Sequence, residues 1–424
     1  MILKMLKRGG QLLLIPVITG TVVLALMAVA FLFPTGEMKA HVRNEMEMFD
    51  QKDIYFNLTG EPGDLHDNHV EAEYLNMALV SVKDADLLSC VLSGYHYIQA
   101  DPAKVVDNLN AAVTDPESVT VLDVYKRFFN GQIIYLKPLL RLTGYSGIRT
   151  LCLYSCLLGT VLLGFMMYRR GLGVYIAPVM LSVQFICPLA AWMSMAFSGI
   201  YMCMLIPCLA MLKMKKETLK KRGWLIFGIT GSITFCINVN YFQLITFGVP
   251  ALMYLLLAGL PEKPAELLKT VLDFFAAWMI GYAGAMVFKW GVYSAAMGKN
   301  IFGDMISHAL WRSGEEEGSR VQTVLTNARI GFGNFWWILT EAAFIGWTLV
   351  RWKKDRVKVS YSAAEILLLL VMILFPVCRF AVLANHSMLH SYFVYRILMI
   401  PVLAFNLLLA GKRRGKTVSG GITT

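Results

Sequence analysis

The sequence predicts an all-α polytopic membrane bundle of about 10 transmembrane helices, with a large helical outer loop after the first. Three observations carry this reading. Of 424 residues, 57% are hydrophobic and only 16% charged, against roughly 45–50% and 25% in soluble domains. The apolar residues gather into runs approaching the ~20 that a bilayer-spanning helix needs. The basic clusters fall between these runs, all on one side. Together they exclude an ordinary soluble globule and a disordered chain, although length alone would suggest two or three soluble domains.

The first run, Gln11 to Phe33, follows Lys4, Lys7 and Arg8. It is longer than the ~7–15 apolar residues of a signal peptide, and Phe31-Leu32-Phe33-Pro34 offers no small-residue cleavage site. It reads as a retained helix with the N-terminus inside. The later runs are Leu151–Tyr168, Val174–Pro188, Ser194–Leu212, Trp224–Asn240, Leu244–Gly259, Phe274–Tyr293, Phe332–Val350, Ala363–Ala384 and Tyr392–Ala410. The third run of the ten is interrupted by Pro178 and Pro188 and holds Gln184.

With ten spans, the basic clusters at Arg169-Arg170, Lys213–Arg222, Lys263–Lys269, Arg351–Lys358 and Lys412–Lys416 all share the side of the N-terminus. This is the positive-inside pattern. It puts both termini in the cytoplasm and makes the net charge of +11 an orientation signal rather than a nucleic-acid footprint. The expected organisation is a cytoplasmic N-terminus and first helix over residues 1–33, an extracytoplasmic loop over 34–148, nine further helices over 149–411 and a basic tail over 412–424.

The 34–148 loop holds 17 of the 28 acidic residues against nine basic ones. It has aromatics that a disordered linker would lack. Asp101-Pro102 and Asp115-Pro116 each put a capping carboxylate before a proline at the first helical position. Val105, Leu109 and Ala112-Val113 recur at helical spacing. The stretch Val121–Phe129 has the mixed composition of a helix lying in the membrane interface. Helices packed over the outer ends of the spans are therefore expected, and they suit a catalytic or a purely structural loop.

Seven cysteines (Cys152, Cys156, Cys187, Cys203, Cys208, Cys236, Cys378) lie in apolar runs and only Cys90 in a polar stretch. They read as packing residues rather than a disulfide framework or metal site.

Polar groups gather at three more outward places: Asn238–Gln243; Lys289 through Arg312, Glu315–Glu317, Arg320 and Arg329; and Asn385–Arg396. His386 and His390 are four apart and would share a helix face. Arg396 enters the following span, where a charge costs ~2.5–3.5 kcal/mol on insertion scales and faces the bundle interior or a cavity. Its alternatives are a structural network or snorkelling. A zinc site at the two histidines lacks an evident third ligand. Asn57-Leu58-Thr59 and Asn385-His386-Ser387 match the glycosylation sequon, which a bacterial source would leave unmodified.

A first helix, a long acidic outer loop and many further spans resemble the GT-C superfamily of integral membrane glycosyltransferases. The strings Asp67–Ala72 with Leu75-Asn76, Tyr125–Gly131 with Leu136–Leu140, and Asn385–Ser387 with Tyr395-Arg396 resemble polytopic proteins of Gram-positive surface-polysaccharide loci. Asn130 stands where that group has His. The resemblance implies a polyprenyl-phosphate-linked sugar as donor, a cell-surface glycan or glycolipid as acceptor, a reaction centre with an acidic residue of the first outer loop, and residence in the bacterial cytoplasmic membrane.

Such a transfer needs a carboxylate to take the acceptor's proton and positive charge or a metal for the departing phosphate. Asp67 and Glu71, four apart, are the candidates for base and for its partner or a metal ligand; the alternative for each is a solvated acidic face. Arg127, Lys289, Arg320 and Arg396 are candidate phosphate holders, and Asn385, His386 and His390 candidate substrate-binding residues. No motif indicates a divalent metal or other cofactor. A flippase for lipid-linked saccharide, or a non-catalytic assembly partner, are the competing functions. Internal repeats and mid-membrane charges would favour the flippase.

Overall fold

The computed structural model describes residues 2–50, 55–100, 104–123, 125–237 and 241–412. Helices dominate, and the only strands among the described residues form two two-stranded antiparallel sheets in the long 34–148 loop. The chain begins with α1 (Ile2–Phe31), then α2 (Gly36–Asn44) and α3 (Glu47–Asp50). In the long loop β1 (Tyr55–Asn57) pairs antiparallel with β2 (Leu65–Asp67), whose last residue caps α4 (Asn68–Leu79). There follow α5 (Leu87–Leu92), β3 (Tyr95–Gln99), α6 (Val105–Thr114), β4 (Val119–Asp123) antiparallel to β3, and α7 (Ile133–Leu142).

The rest is helical. It comprises α8 (Tyr145–Arg169), α9 (Ile176–Phe185), α10 (Pro188–Met193), α11 (Met195–Lys213), α12 (Lys216–Ile237), α13 (Ile245–Ala258) and α14 (Pro264–Met297). Then come α15 (Phe302–Arg312), α16 (Arg320–Gly331), α17 (Phe335–Lys354), α18 (Ala363–Val382), α19 (Ala384–Leu389), α20 (Ser391–Val394) and α21 (Met399–Gly411).

Among the described residues every apolar run coincides with helix, but six stretches are long and apolar enough to cross a membrane. These are Arg8–Phe31, Tyr145–Arg169, Met195–Lys213, Pro264–Met297, Ala363–Val382 and Ser391–Gly411. The shortfall from ten has local causes. At 1.5 Å per residue, α9 reaches only ~15 Å, because Cys187 turns left-handed (φ 51°) and Pro188 starts a new helix. α13 is also short, with 14 residues. α12 opens on the charged run Lys216–Arg222, and α17 carries Glu341 and ends in Arg351–Lys354.

The bundle is built on close backbone approach. A Cβ on Gly231 would collide with the Trp278 carbonyl, and one on Gly281 with the Gly228 carbonyl. Small residues at such positions let two membrane helices pack at short range. The Thr19 and Ser232 hydroxyls join α1 to the same assembly.

The long loop is packed rather than loose. Eleven of the 12 residues of α4 are buried, since it is wedged between α6 and β3 on one side and α7 and α11 on the other. Asn76 locks it to β3, donating to the Tyr97 carbonyl (3.0 Å) and accepting from the Tyr97 amide (2.8 Å). Lys137 on α7 donates to the carbonyls of Ala78 and Val80 at the helix's end, both at 2.8 Å. Last-turn carbonyls of a helix lack intrahelical partners, and a lysine there satisfies them.

Two loop expectations are corrected. Val119–Asp123 is a strand, and residues 125–130 are turn and irregular, so no interfacial helix covers 121–129. Val119, Thr120 and Val121 are β-branched and find a partner in Tyr95–Gln99; this pairing outweighs the helical look of the composition. Pro116 begins a three-residue 3-10 turn instead of an α-helix. Asp101-Pro102 lies outside the described residues. α6 does span the helical spacing at Val105–Val113.

Candidate functional site

A cavity of about 320 Å³ opens between the long loop and the ends of the bundle helices. His69 and Glu73 of α4 form one wall, and His386 and His390, within and just after α19, the opposite one. Tyr55, Tyr125, Tyr241 and Arg312 close the sides. The Asp67–Glu71 and Asn385–Arg396 segments thus border one cavity, through His69 and the two histidines.

Glu73 is the carboxylate in this lining. It is 7% exposed, with His96 Nε2 at 2.5 Å and His69 Nε2 at 3.7 Å. The other His96 ring nitrogen lies 2.8 Å from the Gly94 carbonyl. A carbonyl only accepts, so Nδ1 carries a proton there and Nε2 is the atom turned to Glu73. The start of β3 aims this histidine: Gly94 also accepts from the Tyr125 amide (3.1 Å), and a Cβ on it would run into Tyr125.

Asp67 and Glu71 do not line the cavity, and their carboxylates do not share a helix face. Asp67 is the N-cap, with non-helical φ −101° and ψ 89°, so helical i,i+4 geometry fails. It accepts from the Val70 amide and the Tyr241 hydroxyl, both at 3.1 Å. It thereby braces the tyrosine that walls the cavity. Burial pushes its carboxyl up to about 6. Glu71 is fully buried at the start of α11. It accepts from Ser194 Oγ (2.8 Å), the Met195 and Ala196 amides (3.2 and 3.4 Å) and the Tyr145 hydroxyl (3.3 Å). These are helix N-terminal donors seeking a carboxylate. Burial outweighs them and pushes Glu71 up to about 7.

The four basic candidates do not converge. Arg127 makes two hydrogen bonds to Asp304, at 3.0 and 3.1 Å. Arg320 pairs with Glu315 at 3.4 Å. Lys289 is buried and donates to the Leu92 carbonyl. Arg396 is wholly buried and donates to Ile186 O (2.9 Å), Gly63 O (3.0 Å) and Tyr392 O (3.3 Å). The aromatic rings of Phe197 and Tyr395 flank it at 5.0 and 5.2 Å. It is a structural clip.

Asn385 is buried, donating to Trp311 O (2.7 Å) and to Glu316 and accepting from the Glu317 amide (2.9 Å). That leaves its sequon amide no room for a glycan. Asn57 is exposed. Asn238 and Asn240 lie outside the described residues.

The cations that do gather are Arg312 and Arg379. Arg379 donates to Ser387 Oγ (2.8 Å) and His386 Nδ1 (3.2 Å), so that ring is neutral, with its proton on Nε2. Burial and the two arginines also hold His390 down, at about 4. Arg312 Nε has no partner among the described residues; the Phe128 ring lies 5.9 Å from the guanidinium.

Both arginines also line a second cavity, about 580 Å³, between α14 and α18. Its walls are otherwise mostly apolar and aromatic, including Leu272, Phe275, Trp278, Val371, Phe375 and Val382. Arg312 belongs to both cavities. An apolar groove in a membrane that ends on two cations, beside a polar chamber with a carboxylate, has the chemistry to take an amphiphile with an anionic head.

Reasoning from sequence missed Glu73 and Arg379, and it placed Arg312 in an outward polar stretch without counting it among the phosphate holders. Glu73 was discoverable from the His69/Glu73 spacing inside α4. Arg379 stood as a charge within an apolar run, the signal that drew attention to Arg396. Among the described residues no group of three His, Cys, Asp or Glu could hold a metal ion, and the eight cysteines are free thiols.

No family model, curated protein or solved structure matches the chain.

Proposed function

We propose that the protein is a GT-C-like membrane glycosyltransferase, moving a sugar from a polyprenyl-phosphate donor to a cell-surface glycan or glycolipid. The observation that carries this reading is Arg312, shared by an apolar groove and a polar cavity. The isoprenoid tail lies along α14 and α18, the phosphate meets Arg312 and Arg379, and the sugar projects toward Glu73. The acceptor hydroxyl gives its proton to Glu73 as its oxygen bonds the anomeric carbon. The bond from that carbon to the phosphate oxygen breaks, and the electron pair leaves with the phosphate, whose charge the arginines meet. Asp67 holds Tyr241, and Glu71 holds the start of α11.

The same reading takes ten crossings, with α9, α12, α13 and α17 completing the six, both termini in the cytoplasm and the 34–148 loop outside. The side shared by the basic clusters supports it.

The test is addition of one sugar to the surface glycan, with membrane protein level measured separately. Glu73→Gln keeps the shape and removes the base, and the rate should fall by about 10²–10⁴-fold. Arg312→Gln should lower donor use in membranes supplied with polyprenyl-phosphate sugar. Full modification by both variants sinks the proposal. Complete lipid-linked units accumulating inside a deletion strain would identify a flippase instead.

A further inference from the structure

The helices α15 and α16, which join α14 to α17, are not among the membrane-crossing candidates. Yet each turns an aliphatic pair at i,i+4 spacing away from the protein. Ile306 and Leu310 of α15 are 61% and 69% exposed, Val321 and Leu325 of α16 70% and 63%. The opposite face of α15 is anchored: Met305 is buried beside Trp290 and Ile301, and Asp304 holds Arg127. Phe335 and Trp336, which open α17 next along the chain, are exposed as well.

Depth comes from the shared groove. Arg312, the last residue of α15, lines the same groove as Tyr282, Val382 and Leu383. Tyr282 stands 15 residues before the end of α14 at Met297, which is ~22 Å of helix. Gly298, at φ 64°, ends α14 in a left-handed turn, and Phe302, the first residue of α15, packs edge-on to Trp290 (ring centroids 5.8 Å apart), seven residues back from that end. α15 therefore finishes level with the upper part of a membrane span, not above it.

We propose that α15 and α16 lie in the headgroup region of the leaflet on the long-loop side, with Ile306, Leu310, Val321 and Leu325 against lipid. A helix with an apolar lipid-facing stripe and a polar opposite face seats itself there. The occupant is phospholipid because Arg312, at the end of α15, shares a groove with Tyr282 of α14 and with Val382 and Leu383 at the end of α18, both membrane-crossing candidates. The seat sets Arg312 at the level of lipid phosphates, at the mouth of the apolar groove. This goes beyond the proposed reaction and does not depend on it.

The full-length protein, with Cys378→Ser and Cys152→Ser removing the exposed and the half-buried thiol, is given one added cysteine at 306, 310 or 325 and labelled with a fluorophore, the parent without it serving as the blank. Controls sit at Leu88, exposed in the long loop, and Leu158, exposed on α8. Each variant is placed in phosphatidylglycerol vesicles carrying a nitroxide near the top of the acyl chain. The three labels should be quenched several-fold more than the label at 88, and shielded from aqueous iodide. At 158 a nitroxide deep in the chain should quench better than the shallow one; at 306, 310 and 325 the order should reverse. Iodide quenching equal to that at 88 overturns the proposal. Protection from both quenchers also overturns it, by indicating a protein partner. Three separate positions guard against one misfolded variant, and sugar transfer enters none of the readouts.

Discussion

Glu71 binds its proton because it is buried, and that gives it a measurable pH signature. Its folded value, about 7, lies above the ~4.3 of a free glutamate. The folded state therefore holds the proton more tightly. Its contribution to stability is complete below about pH 4 and is lost as pH rises through 7, on the order of 3–4 kcal/mol in all. Gln at this position accepts from Ser194 and the α11 amides but cannot ionise. The fall in melting temperature between pH 5 and pH 7.5 should thus be smaller in Glu71→Gln than in the parent, measured in the same detergent. Equal falls would mean that Glu71 is ionised throughout. Asp67, pushed up to about 6, adds to the same slope in both proteins and does not obscure the difference.

At the scale of elements, the contact between α12 and α14 has no slack. Gly281 faces the Gly228 carbonyl with no space for a Cβ, so Gly281→Leu must push two helices apart along a buried seam. Overpacking of this kind costs about 1–3 kcal/mol or more. The expected outcome is a clear loss of monodisperse protein on size-exclusion chromatography. Gly291→Leu, on the same helix but with nothing within 4 Å of its Cβ, should purify like the parent.

Elements also mark what the sequence could and could not say. The helix α6 was legible because its apolar residues repeat at 3.6-residue spacing within ten residues. The strand β4 was not, because its five residues are too few for a period, and its partner Tyr95–Gln99 lies some 24 positions earlier. α4 shows the same split. Its acids at Asp67 and Glu71 stood out by their four-residue spacing, but that Asp67 caps the helix and where each carboxylate turns were not readable. Glu71 turns to Ser194 and Asp67 to Tyr241, partners 123 and 174 residues away, and only the tertiary fold decides which acid is left to face the cavity. Arg396 stood out as a costly charge, yet its carbonyl partners carry no sequence signal.

For the whole molecule, the orientation reading makes a direct prediction. A membrane-impermeant maleimide applied to intact cells should label a cysteine introduced at Leu88 and fail to label one introduced at Glu217, at the charged start of α12. Permeabilising the cells should expose the second site. Labelling at 217 before permeabilisation would invert the bundle, put the Glu73 cavity on the cytoplasmic side and remove the basis for transfer to a surface glycan.

The clip at Arg396 also fixes an order of events during biosynthesis. Its guanidinium and the neighbouring Tyr395 hydroxyl both hold the Gly63 carbonyl, 333 and 332 residues earlier in the chain. At a synthesis rate of ~5–20 residues per second, the ribosome needs about 17–67 s to cover that interval. Throughout that time the turn between β1 and β2 has been made but lacks the two side chains that close it. The long loop reaches its final form only when the last membrane helix is inserted, so early translation products are the forms most open to quality-control proteases.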